Sequence, residues 1–148
     1  MTRPFSLQTV LDLMQQRNDE ATQRLARLIA AEMDARKQLE LLHDYRHEYS
    51  ERFRQAASNG LSLPEWRNYE DFLSRLDEAV SHQLQALRAR QSQTAEGQAA
   101  WQEQRVRLQA FATLAQRHQA AEARSDLRRE QKTQDEFAAR HHDRPDEP

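Results

Sequence analysis

Histidine pairs come closest to a metal site in this chain. His43 and His47 are four residues apart, a spacing that would place both imidazoles on one face of a helix and within reach of a single ion. The run His141-His142-Asp143 offers a second set of donors near the C-terminus. Neither set has a further ligand at the usual spacing, so surface histidines are the simpler interpretation. We therefore expect no metal and no cofactor.

The composition leaves little room for catalytic motifs. The 148 residues include no cysteine, and the two glycines are Gly60 and Gly97. Thiol nucleophiles, zinc thiolate sites and glycine-rich phosphate loops are therefore excluded, and the lack of cysteine fits a reducing cytoplasm. The sequence predicts a protein that is not an enzyme.

The remaining composition is typical of a helix-forming chain with too few apolar residues for a thick core. Only 37% of the residues are hydrophobic, 31% are charged, and the formal net charge is -2 with both signs interleaved. Nucleic-acid binders usually carry a basic excess, so no nucleic-acid partner is expected. No apolar run is typical of a signal peptide or approaches the roughly 20 residues of a membrane span. The sequence thus predicts a soluble protein whose membrane contact, if any, is peripheral.

Helix-breaking residues cluster at one place, between Ser58 and Trp66. Gly60 suits a left-handed helix cap, Ser62 and Glu65 have the spacing of a capping box, and proline is tolerated in the first turn that follows. The segment predicts the tip of a helical hairpin. A flexible break between unrelated helices is the alternative.

A seven-residue repeat of apolar residues runs on both sides of this tip. It predicts an all-α fold, an antiparallel two-helix coiled-coil hairpin, with one helix over about 6–58, a turn at 59–62 and a second helix over about 63–139. Residues whose numbers sum to about 122 should face each other.

That register pairs residues of complementary size and polarity. It sets Leu25 against Gly97, and it brings two polar pairs together across the seam, which are Asn18 with Gln104 and Glu32 with Arg90. Buried polar pairs cost stability but exclude other registers, so we predict that these two pairs specify the pairing of the helices.

The register also predicts where the hairpin ends. We expect residues 1–139 to form a single hairpin domain in which residues 118–139 are an unpaired helical overhang, and residues 140–148 to be a disordered tail. An overhang with so little apolar surface is marginal in water, so it should fray or dock on a partner.

Aromatic residues occupy one flank of the predicted seam near the tip, where charged residues are usual. Tyr45 and Phe72 lie at flanking positions, with Leu42, Tyr49 and Leu76 beneath them. An exposed aromatic flank indicates a binding surface. Aromatic side chains that merely widen the core are the alternative.

The chain resembles the family of the flagellar export protein FliJ. The resemblance covers nearly the whole chain and rests on the opening Phe5-Ser6-Leu7-Gln8-Thr9-Val10-Leu11-Asp12-Leu13, the long helix after it, and two blocks near the tip. These blocks are Gly60-Leu61-Ser62 and Trp66-Arg67-Asn68-Tyr69-Glu70-Asp71-Phe72-Leu73-Ser74-Arg75-Leu76-Asp77.

The resemblance implies a coiled-coil factor of flagellar type III protein export that couples the export ATPase hexamer to the cytoplasmic domain of the membrane export gate and escorts export chaperones. It also implies a cytoplasmic protein, peripherally associated with the inner face of the membrane through the export apparatus. The family's gate-binding surface maps onto Gln38, Leu42, Tyr45, Tyr49, Phe72, Leu76, Ala79 and His82.

Two other functions would also fit the sequence. A homologous stalk component of a virulence secretion injectisome would share the fold and the coupling role, and a purely structural coiled coil would have no motor partner. Many relatives look more basic than this chain, which ends in Asp146-Glu147-Pro148. That departure weakens any role for electrostatic attachment to anionic lipid.

Overall fold

The protein is a helical hairpin. A computed structural model describes residues 4–142, with side chains from Leu7 onward, and contains α1 (Pro4–Asn59) followed by α2 (Leu63–His142). The two helices pack antiparallel against each other, and no strand occurs within the described range. The predicted fold class is confirmed, with helix bounds that differ from the predicted ones by at most three residues.

The turn between the helices is built by the residues that the sequence indicates. Gly60 has a φ of +94°, the left-handed region that favours glycine, and its N–H donates to the Ala57 carbonyl oxygen at 3.2 Å. Ser62 Oγ accepts the N–H of Glu65 at 3.4 Å, and the Ser62 carbonyl accepts the N–H of Trp66 at 2.9 Å. Ser62 therefore caps the start of α2.

The chain divides into two compact units, of which the larger comprises residues 19–103. Its seam buries Ala35, Leu76, Leu87 and Gly97. These residues recur at the spacing of a coiled coil, so few apolar side chains suffice to hold the helices together.

Cross-helix hydrogen bonds in this unit report the register directly. Thr94 Oγ1 donates to the Leu28 carbonyl oxygen at 3.3 Å, and these residue numbers sum to 122. Trp101 Nε1 donates to Thr22 Oγ1 at 3.0 Å, one residue from the same register. The predicted pairing of the helices is therefore confirmed in this unit.

Gly97 lies directly against side chains of α1. A Cβ placed on Gly97 would stand 2.5 Å from Leu28 Cδ1 and 3.7 Å from Leu25 Cδ1. The side chains of α1 thus occupy the space that a larger residue would need, which explains a buried glycine inside a long helix.

Within the described range, the smaller unit comprises residues 4–18 and 104–142. Met14 is buried in its seam, 8% exposed, and Leu11, Leu108 and Phe111 are half-buried around it. Farther along α2, Leu127 and Phe137 are 64% and 69% exposed. In this part of α2 the seam pattern gives way to exposed side chains.

The C-terminal part of α2 extends beyond the predicted helix. Residues 140–142 are helical, although the sequence places them in a disordered tail, and the ring of His141 stacks on that of Phe137 at 5.9 Å. Basic residues occupy the last turn, where they interact favourably with the helix dipole. Residues 143–148 of the predicted tail lie outside the described residues.

Candidate partner-binding site

A continuous series of aromatic rings bridges the two helices near the turn. We call it the tip cluster, and its members are Tyr45, Tyr49, Phe53, Trp66, Tyr69 and Phe72. Heptad spacing on each helix brings these rings to the seam and to one flank of it. The cluster couples the two helices through ring contacts across the seam.

The rings nearest the turn lie close to the seam. Phe53 contacts Trp66 at a centroid distance of 4.9 Å and Tyr69 at 5.2 Å. Trp66 remains 40% exposed, and its Nε1 donates to Glu70 Oε1 at 2.8 Å. The indole thus covers the end of the seam with its apolar face while its polar edge is satisfied.

The rings farther from the turn extend toward the surface. Tyr49 lies 4.3 Å from Phe72 and 5.4 Å from Tyr69, and Tyr45 meets Phe72 edge-on at 6.1 Å. Phe72 is half-buried between the two tyrosines, whereas Tyr45 is 47% exposed. Phe72 therefore packs between Tyr45 and the seam, and its ring is only partly exposed on the flank.

The electrostatics of the cluster follow from this packing. Burial among the neighbouring rings raises the pKa of Tyr49 above its ordinary value, so its hydroxyl stays neutral at physiological pH. Beside the cluster, Arg46 donates a hydrogen bond to Asp77 across the helices, and this bond raises the pKa of Arg46. Both side chains of this ion pair are partly exposed to solvent, at 41% for Arg46 and 55% for Asp77.

The eight residues of the predicted gate-binding surface lie together near the tip but differ in accessibility. Leu76 is buried at 7% exposure and belongs to the seam. Four members are half-buried, and three are exposed. The half-buried residues are Leu42, Tyr49, Phe72 and Ala79, and the exposed ones are Gln38, Tyr45 and His82. A partner would thus meet the exposed members while the others shape the surface beneath them.

Leu41 belongs to this surface and was missed from the sequence. It is 63% exposed and, with Gln38, Leu42 and Tyr45, lines an open depression of about 440 Å³. Leu41 lies on the solvent-facing side of the flank that carries Tyr45, and the sequence analysis placed the binding surface on that flank alone. A leucine at a solvent-facing heptad position was the available signal, because such positions normally carry polar residues.

The two polar pairs that were predicted to set the register differ in their burial and in their hydrogen-bond partners. Asn18 and Gln104 are both half-buried in the smaller unit, and their side-chain carbonyl oxygens are shielded from solvent. Glu32 and Arg90 instead interact with residues of their own helices, Glu32 with Arg36 at 3.5 Å and Arg90 with Gln93 at 3.3 Å. A role of these residues in setting the register stays a prediction.

The histidines considered as metal ligands are surface residues. His43 and His47 are exposed on α1, and no group of three or more histidine or carboxylate side chains between residues 4 and 142 is arranged to hold a metal ion. Asp143 lies outside the described residues. Over the same range, neither helix contains a stretch long and apolar enough to cross a membrane.

Comparison with known proteins gives a family match over almost the full length. A family model described as flagellar FliJ protein matches residues 3–147. The flagellar FliJ protein of Salmonella typhi is 33% identical over 141 residues, which cover 95% of each chain. The flagellar FliJ protein of Escherichia coli K12 is 31% identical over 140 residues, again with 95% of each chain covered.

Proposed function

Because the chain belongs to the flagellar FliJ protein family, we propose that it is a non-enzymatic component of flagellar type III protein export. In this role it couples the hexameric export ATPase to the cytoplasmic domain of the membrane export gate and escorts export chaperones. It acts in the cytoplasm, held at the inner face of the membrane by the export apparatus.

The main support for a gate-binding role is the accessible apolar surface near the tip. Leu41 and Tyr45 expose 63% and 47% of their surface beside an open depression, and both lie on helix α1. Apolar and aromatic side chains held on a fixed backbone are the usual anchors of protein interfaces, because little conformational entropy is lost when they are covered.

The ring contacts explain why this surface is preorganised. Tyr45 rests edge-on against Phe72, which in turn packs against Tyr49 in the seam. An anchor braced in this way presents the same geometry before and after binding. Phe72 therefore acts as a support for the binding surface, and Leu41 and Tyr45 make the direct contacts.

The extent of exposed surface also supports a role in binding partners. Only Met14, Ala35, Leu76 and Leu87 are buried apolar side chains within the described range. Most of the protein is thus available to other components of an assembly.

The test is a binding titration of the full-length chain with the purified cytoplasmic domain of the export gate. The double substitution Leu41→Ala and Tyr45→Ala removes the exposed anchors and leaves the seam intact. Loss of about 2 kcal/mol, typical of a pair of anchor residues, would weaken binding roughly thirtyfold.

Met33→Ala is the matched control. Met33 is 62% exposed on the same helix but lies outside the depression that Leu41 and Tyr45 line. Its truncation should leave the affinity within about twofold of the wild type. Equal affinities for the wild type and the double variant, with unchanged helicity, would rule out this surface as the gate-binding site.

A further inference from the structure

One flank of the smaller unit carries exposed apolar and basic side chains and no carboxylate. Its members on α2 recur at spacings of three and four residues, which keeps them on one face of the helix. We call it the basic flank, and on α2 it consists of Val106, Ala110, Leu114, Arg117, Ala121, Arg124 and Arg128, all exposed. It is distinct from the tip cluster, whose residues belong to the other unit.

Side chains of α1 extend this flank across the seam of the same unit. In an antiparallel coiled coil, each flank of the seam is formed by residues of both helices. With Met14 in the seam, the heptad positions place Leu13 and Arg17 on the flank that carries Leu114. Leu13 is 43% exposed and Leu114 is 50% exposed. Exposed apolar side chains of both helices therefore belong to the basic flank.

The charge of this flank differs from that of the chain as a whole. Residues 104–128 contain five arginines and two carboxylates, although the formal net charge of the chain is -2. Both carboxylates lie off the flank and interact within α2, Glu122 with His118 at 3.1 Å and Asp126 with Arg129 at 3.9 Å. Positive charge is thus concentrated on the basic flank.

The arginines of the flank are available to a partner. Four of them are exposed and form no ion pair with a carboxylate among residues 7–142, and these are Arg17, Arg117, Arg124 and Arg128. Other exposed arginines do pair on their own helix, as Arg54 does with Glu51 at 2.9 Å. A carboxylate from outside the chain could therefore pair with each of the four without displacing an internal partner.

Apolar and basic side chains occupy different ends of the flank. Val106 and Leu114, which are 64% and 50% exposed, lie at one end together with Leu13 of α1. The arginines at positions 117, 124 and 128 lie at the other end. From residue 106 to residue 128 the flank extends for about 33 Å, the length of six helical turns.

We propose that the basic flank docks an amphipathic helix of a partner protein, and that the inward face of this helix is apolar at one end and acidic at the other. Its apolar side chains pack against Leu13, Val106 and Leu114, and its carboxylates pair with the arginines from Arg117 to Arg128. The partner helix thereby becomes a third helix on the smaller unit. The inference does not depend on the proposed contact with the export gate.

A helix fits this flank better than a lipid surface or a nucleic acid does. Helices that lie in a membrane interface bury a broad apolar face, often with Trp or Phe, and carry their basic residues on the opposite face. The basic flank has no aromatic residue, and its apolar and basic parts follow one another along α2. A nucleic acid would pair with the arginines but would leave the exposed leucines uncovered.

Two synthetic peptides of about 22 residues test the docking on the full-length chain. Both are end-capped, fluorescently labelled helices with leucines at spacings of three and four over one half. The same face of the other half carries three glutamates in the first peptide and three lysines in the second. Each peptide is made with the leucine half first and with it last, because a helix can dock in either direction. Fluorescence anisotropy should show that a glutamate peptide binds at least about tenfold more tightly than its lysine counterpart.

Substitutions on the flank locate the binding. R117E/R124E should weaken binding of the glutamate peptide at least about tenfold, because two attractive contacts become repulsive. R129E/R140E changes the net charge by the same amount at exposed positions off the flank, so it should leave the affinity within about twofold of the wild type. V106A/L114A should weaken binding about fivefold through the loss of apolar contact. Circular dichroism must show equal helicity for all chains.

Three results would overturn the proposal. The first is equal binding of the glutamate and lysine peptides, or an equal effect of the two charge-reversal variants. The second is no binding of the glutamate peptide in either direction at submillimolar concentration. The third is co-sedimentation of the wild type, but not of R117E/R124E, with vesicles of phosphatidylcholine and phosphatidylglycerol when neither peptide binds, which would assign the flank to anionic lipid.

Discussion

Replacement of Gly97 by alanine should lower the free energy of unfolding by about 1 kcal/mol, although alanine is the better helix former. An alanine in the helix interior gains about 1 kcal/mol over glycine. Its Cβ, however, would stand 2.5 Å from Leu28 Cδ1, whereas carbon atoms prefer roughly 3.5–4.0 Å. The atom it meets is a terminal methyl of Leu28, which is half-buried and can turn away only by giving up contacts in the seam. Overpacking of this kind costs about 2 kcal/mol, so the clash outweighs the gain.

A double-mutant cycle with Leu28→Ala separates these two effects. When the leucine is truncated, the clash disappears and Gly97→Ala should stabilise the protein by about 1 kcal/mol. The two residues should therefore show a coupling of about 2 kcal/mol in urea unfolding, followed by circular dichroism. If Gly97→Ala stabilises both backgrounds equally, the close approach of the helices at this position is refuted.

Three further outcomes follow from individual residues. Because burial raises the pKa of Tyr49, its neutral phenol contributes stability that is complete below pH 10.0, the ordinary tyrosine value, and is lost as the pH rises through the higher folded pKa. The difference between the absorbance titrations of the wild type and Tyr49→Phe should show this phenol ionising above pH 10.0. A midpoint at or below pH 10.0 would contradict the packing of Tyr49. Gly60→Ala should destabilise the hairpin by about 1–2 kcal/mol in urea unfolding because Gly60 has a φ of +94°, and an unchanged stability would show that the turn adopts another conformation. Removal of the solvent-accessible pair of Arg46 and Asp77 should reveal a small coupling in a double-mutant cycle that weakens with added salt. A salt-independent coupling would show that the pair is more shielded than its exposure indicates.

Much of the fold is predictable from the sequence because a coiled coil encodes its geometry in a simple period. Gly60 and Ser62 mark the turn through backbone requirements that few other residues meet, and the seven-residue repeat then defines the seam. Once the turn is placed, the register has little freedom. The hydrogen bond from Thr94 to the Leu28 carbonyl follows directly from that pairing.

The details of the flanks are less predictable, since several arrangements of a long side chain have similar energies there. Glu32 can reach Arg36 one turn away on its own helix as readily as a residue across the seam. Leu41 extends the candidate binding surface from a position that the repeat treats as solvent-facing. Phe72 is drawn partly into the seam because its ring packs on Tyr49.

The proposed contact between the export gate and the surface around Leu41 and Tyr45 is tested most directly by secretion from living cells. A strain that lacks its own copy of the gene should be complemented with the wild type, with L41A/Y45A and with M33A, and the flagellar protein secreted into the medium should be measured. We expect the strain with L41A/Y45A to secrete much less flagellar protein than the wild type at equal cellular protein level, while the strain with M33A matches the wild type. Equal secretion by all three strains would contradict the proposed contact.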